Sequence, residues 1–186
     1  MSLSTDLIYT PDDLLTMPEG DRYELIDGRL VERNMGGWSV HVGTRLLILI
    51  GSFDPKQKIG WLLTTDASYQ CFPKNRVRRP DLSFICLGRL PEERVPDGHI
   101  RIAPDLAVEV ISPNDLDYET DRKVEDYLQA GTRLVWVVNP EVRTVLVYRG
   151  DGSIAGTREP GELDGEDVIP GFRCRVFDLF VTPKAS

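Results

Sequence analysis

The chain has 186 residues, 41% of them hydrophobic and 28% charged, with 30 acids against 22 bases and a formal net charge of −8. That length suits a single domain, 1–186, able to fold without disulfide or metal staples, and the composition excludes disorder as the main state. The longest apolar run, Leu46–Ile50, falls far short of the roughly 18 residues that cross a bilayer, and the first residues lack the basic-then-apolar pattern of a signal peptide, so no membrane partner is expected.

Cys71, Cys86 and Cys174 make an odd count with no CxxC pair. This argues against both a secreted disulfide framework and a Cys-rich zinc site, and predicts a cytoplasmic protein. The only histidines, His41 and His99, are too far apart for HExxH, and neither a P-loop nor GxSxG is present. The net negative charge disfavours a polyanionic partner, unless some of the acids hold metal ions. One local cluster runs the other way: Lys74, Arg76, Arg78 and Arg79.

Residues 10–18 predict a short helix capped by Thr10, with Pro11 at its first position and Pro18 ending it. Segments 22–26 and 29–33 flank Asp27-Gly28, a strong hairpin signal. After a loop at 34–38, Val42, Leu46, Leu49, Ile50 and Phe53 recur at helical spacing, predicting a helix from about Ser39 to Phe53 with Ser39 as cap. Residues 60–72 read as one extended strand and 79–86 as another, while the proline-rich 88–104 reads as a loop or lid. A nearly all-apolar strand covers 106–111, a helix 117–130 closed by Gly131, and further strands 133–138 and 144–148. The glycine-rich tail predicts one or two short strands. This order makes an α/β fold: a mixed β-sheet flanked by helices, with an N-terminal β-hairpin.

The informative acids are those placed in apolar strands. Glu109, in Asp105-Leu-Ala-Val-Glu-Val-Ile-Ser112, is costly to bury unless it is paired or metal-bound. Its plainer role is a strand-end ion pair with an arginine. Asp81 follows Pro80 and opens a strand inside the basic run, where a turn residue would also fit. Two carboxylates on adjacent strand ends suit a hard cation such as Mg²⁺, and a nearby lysine would complete a site for phosphodiester hydrolysis.

Pro80-Asp81 followed by Glu109-Val110-Ile111 resembles the PD-(D/E)xK nuclease superfamily. Over nearly its whole length the chain resembles the Uma2 family of restriction-endonuclease-like proteins, a domain of unknown function. The matching segments are Tyr23-Glu-Leu-Ile-Asp-Gly-Arg-Leu-Val, Arg79-Pro-Asp-Leu-Ser-Phe-Ile, Ala103-Pro-Asp-Leu-Ala-Val-Glu-Val-Ile-Ser-Pro, Asp121-Arg-Lys, 127–140 and Pro170-Gly-Phe. The resemblance implies a restriction-endonuclease-like fold and a Mg²⁺-dependent (or Mn²⁺-dependent) endonuclease acting on DNA. It also implies metal ligation by Asp81, Glu109 and the Val110 carbonyl, and a homodimer.

One position departs from the motif. The lysine two residues after the second acid is replaced by Ile111. The resemblance implies that Lys123, on the next helix, takes that part, against the plainer reading of a surface pair with Glu119. Glu32 is a candidate accessory acid, Glu24 competes with it, and either could be a solvated strand charge. His41 could stand at the site mouth, though a lone helical histidine is more often structural, and Tyr69 and Gln70 could line the groove. The rival from another class is a catalytically inactive nuclease-like binding domain. The acidic balance favours it, and the joint presence of Asp81, Glu109 and Lys123 counts against it.

Overall fold

The computed structural model describes residues 8–33, 36–73, 75–113 and 117–183. Lys74 of the basic run and Asn34 and Met35 of the expected loop lie outside them. Helix α1 spans Pro11–Thr16, with Thr10 and Asp13 forming a reciprocal capping box. Strands β1 (Tyr23–Ile26) and β2 (Arg29–Glu32) pair antiparallel across Asp27-Gly28, both at positive φ, as a tight two-residue hairpin turn requires. Helix α2 covers Gly37–Phe53 and starts two residues before Ser39, whose hydroxyl donates to the Ile111 carbonyl at 2.9 Å instead of capping the helix.

The segment predicted as one strand over 60–72 is two: β3 (Gly60–Thr64) and β4 (Tyr69–Phe72), separated by a turn closed from the Ala67 amide to the Thr64 carbonyl. They join different sheets. Next come β5 (Arg76–Arg78), β6 (Leu82–Cys86) and β7 (Leu106–Val110). Helix α3 (Asp117–Gln129) is followed by β8 (Leu134–Asn139) and β9 (Thr144–Arg149). The tail holds three strands rather than one or two, β10 (Ile154–Arg158), β11 (Glu162–Asp164) and β12 (Arg173–Arg175), and then a one-turn helix α4 (Val176–Leu179).

The central sheet runs β10-β9-β8-β7-β6-β3, with β7 and β8 parallel and the other neighbours antiparallel. A parallel pair needs a crossover, and α3 supplies it. Gly131 ends that helix at φ 98, and the Thr132 amide reaches the Tyr127 carbonyl at 3.0 Å. Strand alternation divides the side chains of β7 and β8 between two cores. Leu106, Val108, Val110, Leu134, Trp136 and Val138 pack with Val42, Leu46 and Ile50 of α2. On the opposite face Ala107, Val135 and Val137 pack with Val124 and Tyr127 of α3. Glu109 belongs to this second face by parity. A smaller sheet, β2-β1-β5-β4, carries the hairpin.

Candidate active site

The register Leu82↔Val108 and Ser83↔Ala107 brings Asp81 beside Glu109 where β6 begins and β7 ends. The Val110 amide donates to Asp81 Oδ2 at 2.7 Å, so the aspartate is tied to the residue next to Glu109. Lys123 Nζ lies 2.9 Å from Glu109 Oε2 and 3.6 Å from Glu24 Oε1. It thus turns inward from α3 instead of outward to Glu119. Ile111, standing where the motif lysine would be, packs partly buried against the apolar cluster under α3. Asp81, Glu109, Val110, Lys123, Glu24, Glu32, Arg33 and Arg79 share one recess of about 50 Å³, room for a few water-sized groups.

Of the two competing hairpin acids, the structure brings Glu24 into this cluster. Glu24 is 2% exposed and accepts from the Arg79 amide and the Arg78 guanidinium, each at 2.9 Å. Glu32 sits on the rim, its side chain 58% exposed and paired with Arg22 at 2.8 Å. The register explains the split. Glu24 opposes Val31 on one face of the hairpin, and Tyr23 opposes Glu32 on the other.

Beneath the recess lies a buried ionic lattice. Arg78 bonds Asp126 of α3 through two nitrogens, at 2.6 and 2.8 Å, and Glu24 through the third. Arg76 reaches Asp126 and Asp27. The basic run is therefore not a free phosphate-binding patch among the described residues. Arg76 and Arg78 clamp the small sheet to α3. Arg79 is held by the Tyr23 and Asp66 carbonyls at 3.2 and 2.9 Å. The Tyr127 hydroxyl donates to Glu109 Oε1 at 2.8 Å, so both oxygens of Glu109 are held by α3.

The charges are strongly perturbed. Burial lifts Glu109 above the ordinary glutamate range; Lys123 opposes that, and the charges of Asp81 and Glu24 add to it. Burial likewise raises Asp81, against Lys123 and the Val110 amide. Burial works to raise Glu24 too, but Lys123 and Arg78 hold it below its usual range. Burial acts to deprotonate Lys123, yet Glu109, Glu24 and Asp81 together hold its pKa above the usual lysine range. The lysine is therefore an ammonium, a donor and not a base.

Sequence reasoning passed over two contributors, Arg33 and Tyr127, and singled out Arg78 only as a member of the basic run. Arg33 had a legible signal, since it alternates onto the face of Val31 and hence of Glu24. His41 lies elsewhere, stacked on Trp38 at 5.1 Å with its Nε2 3.0 Å from the Val181 carbonyl. Tyr69 is fully buried and donates to Ser83 at 2.7 Å, so it forms core and not groove. Gln70, next to it on β4, is half-buried and likewise lies outside the recess.

An acid pair at adjacent strand ends, a lysine bonded to the second acid and helices on both faces of a mixed sheet define a restriction-endonuclease-like α/β protein. The crystal structure of a protein described as a putative nuclease belonging to DUF820, from Anabaena variabilis, superposes with a TM-score of 0.78 at 25% identity, covering 92% of this chain and 97% of that one. The Uma2 family, described as "Putative restriction endonuclease", matches residues 11–177, and the chain belongs to it. No curated protein matches. No helix among the described residues is long and apolar enough to cross a membrane.

Among the described residues no group of three or more His, Cys, Asp or Glu side chains is arranged as a metal cage. A smaller set lines the recess, the Asp81 and Glu109 carboxylates with Val110 beside them, and these are the residues that could hold a cation. Two carboxylates would suffice for Mg²⁺, which keeps several waters and takes only one or two protein carboxylates. Burial first, and the charges of Asp81 and Glu24 after it, raise Glu109, and a divalent cation beside its carboxylate would oppose both.

Proposed function

We propose that this protein is a Mg²⁺-dependent endonuclease that hydrolyses DNA phosphodiester bonds, with Asp81, Glu109 and the Val110 carbonyl holding the metal. The observation that carries the reading is the Lys123 ammonium, 2.9 Å from Glu109 and turned into the recess that Asp81 shares. Bound there, the metal supplies Lewis acidity to the phosphate and lowers the pKa of an attacking water. The chain's own residues do the rest. Asp81 is oriented by the Val110 amide, and Glu109 by Tyr127 and Lys123. Lys123 donates to the oxygen on which negative charge grows and positions the water, and its raised pKa keeps it charged for that work. Glu24, itself held by Arg78, steadies the ammonium from below.

DNA as substrate rests on family membership, and a symmetric pair of chains would let two such sites cut two strands. The inactive binding domain is favoured by one observation: Arg76 and Arg78 are spent on acids of the same chain. One experiment separates the two. Wild-type protein with Mg²⁺ or Mn²⁺ should nick supercoiled plasmid DNA, EDTA should stop it, and Asp81→Ala should be inert. Absence of metal-dependent cleavage by wild type across a range of DNA substrates would overturn the endonuclease reading in favour of the binding domain.

A further inference from the structure

Arg33 follows directly on β2, and its side chain is only 10% exposed. Burying a guanidinium is costly unless its five donors are matched, and the usual match is a carboxylate held in a two-pronged grip. Arg33 has no such grip among the described residues. One nitrogen donates to the Thr65 hydroxyl, and the same nitrogen stands 4.0 Å from Asp81 Oδ1, outside hydrogen-bond reach. Arg79 lines the same recess, close enough that Arg33 adds to the effect of burial in lowering its pKa. Arg79 is spoken for by two carbonyls, whereas Arg33 keeps donors to spend. Two like charges are thus placed side by side at the wall of a recess whose floor is acidic.

We propose that Arg33 is a phosphate-binding residue of the site: its guanidinium grips a non-bridging oxygen of the DNA phosphate that enters beside Asp81. This rests on the nuclease reading above and adds to it a protein contact for the substrate's anion. The recess is then two-sided. Its carboxylates suit a cation, and Arg33, held on the Asp81 side, suits the anion that the cation brings. Planar, bidentate donation to phosphate is what arginine does better than lysine. A guanidinium engaged through one nitrogen by a neutral hydroxyl is free to make that contact, as one locked to a carboxylate is not.

The test measures binding apart from cleavage. Wild type, Arg33→Gln, Arg33→Lys and the exposed control Arg94→Gln are titrated with a fluorescent DNA duplex of about 20 base pairs in Ca²⁺, over a series of salt concentrations, and their single-turnover cleavage is followed in Mg²⁺. Arg33→Gln should bind about 10-fold or more weakly and flatten the slope of log K against log salt by about 0.9, the signature of one lost phosphate contact. Arg94→Gln should match wild type. Should Arg33→Gln fail to fold, Arg33→Lys decides: it keeps the charge and the slope but loses the fork, so affinity and cleavage rate should each fall several-fold. Wild-type affinity and salt slope in Arg33→Gln, or wild-type affinity and rate in Arg33→Lys, overturn the proposal, as does a wild type that binds no duplex. A wild type that binds duplex through Arg33 but cuts nothing in Mg²⁺ or Mn²⁺ overturns the endonuclease reading alone.

Discussion

The two faces of the central sheet are built on opposite principles. Under α2 the β7 and β8 side chains are Leu106, Val108, Val110, Leu134, Trp136 and Val138, and the contact is wholly apolar. Under α3 the same strands present Ala107, Glu109, Val135 and Val137, and the apolar cluster gives way at the strand ends to Lys123, Glu24, Arg78 and Asp126. The first face stabilises by removing surface from water and tolerates no charge. The second surrenders some of that gain, because paired ions in an interior rarely stabilise more than packed hydrocarbon does, and what it obtains is fixed geometry around Glu109. One face makes the sheet and the other makes the site.

The comparison can be broken most strongly at the centre of each face. Trp136→Ala, on the apolar face, should cost about 3–5 kcal/mol of stability in urea denaturation while leaving the metal-induced rise in Tm intact. Asp126→Ala, on the ionic face, strands the buried Arg78 and should cost a comparable amount, about 3–5 kcal/mol. Unlike Trp136→Ala, it should also lower cleavage in whatever fraction stays folded, by loosening the support of Lys123.

Lys123→Met tests the site with less damage to the fold. Cleavage should drop about 10²–10³-fold, since the ammonium serves charge that develops in the transition state. The variant also leaves Glu109 and Glu24 without their shared counter-ion, so Mg²⁺ should raise its Tm by more than it raises wild type's. In wild type, Mg²⁺ at about 100 times its Kd should add about 2.7 kcal/mol, and Asp81→Ala should abolish that gain. An equal gain in Asp81→Ala, measured by thermal melting, would place the ions elsewhere on the acidic surface.

The smallest effect belongs to neither face and serves as a control. His99 is buried, accepts at Nδ1 from Ser68 at 2.8 Å and donates from Nε2 to the Pro11 carbonyl at 2.7 Å. Burial depresses its pKa below the usual 6.5 despite the Pro11 carbonyl. The unfolded chain therefore takes up a proton first as pH falls. Its contribution is complete above about pH 6.5 and is lost below that, at up to about 1.4 kcal/mol per pH unit until the folded value is reached. The slope of Tm against pH in this window should shrink in His99→Asn.

Much of this was legible in the chain. The apolar runs of β7 and β8 with a single acid announced a buried strand pair, and Asp81 and Glu109 stood out because their neighbours are hydrocarbon. The Ile111 substitution made Lys123 worth watching. The hairpin was harder. Its alternation sorts Glu24 from Glu32 but does not say which face meets α3, and that depends on Arg78, which bridges Glu24 to Asp126 of α3. β5 was missed because Arg76-Val77-Arg78 reads as solvated charge, although Val77 is fully buried opposite Leu25. The break inside 60–72 was hidden because Thr64 to Ser68 has no glycine or proline to mark a turn.

The lattice joins Glu24, Arg78, Glu109, Lys123 and Asp126, in that chain order. During synthesis, which runs from the N-terminus, the acids of the recess emerge well before the helix that neutralises them. A nascent chain ending before α3 carries Asp81, Glu109 and Glu24 with neither Lys123 nor the Asp126 anchor for Arg78. Such a fragment is electrostatically frustrated, with acids pressed together and an arginine lacking its main partner, so the strands gain little by closing early. Completion of the recess is thereby tied to the arrival of the crossover helix, and a product that ends before α3 has the acids of the recess without the cation that holds them.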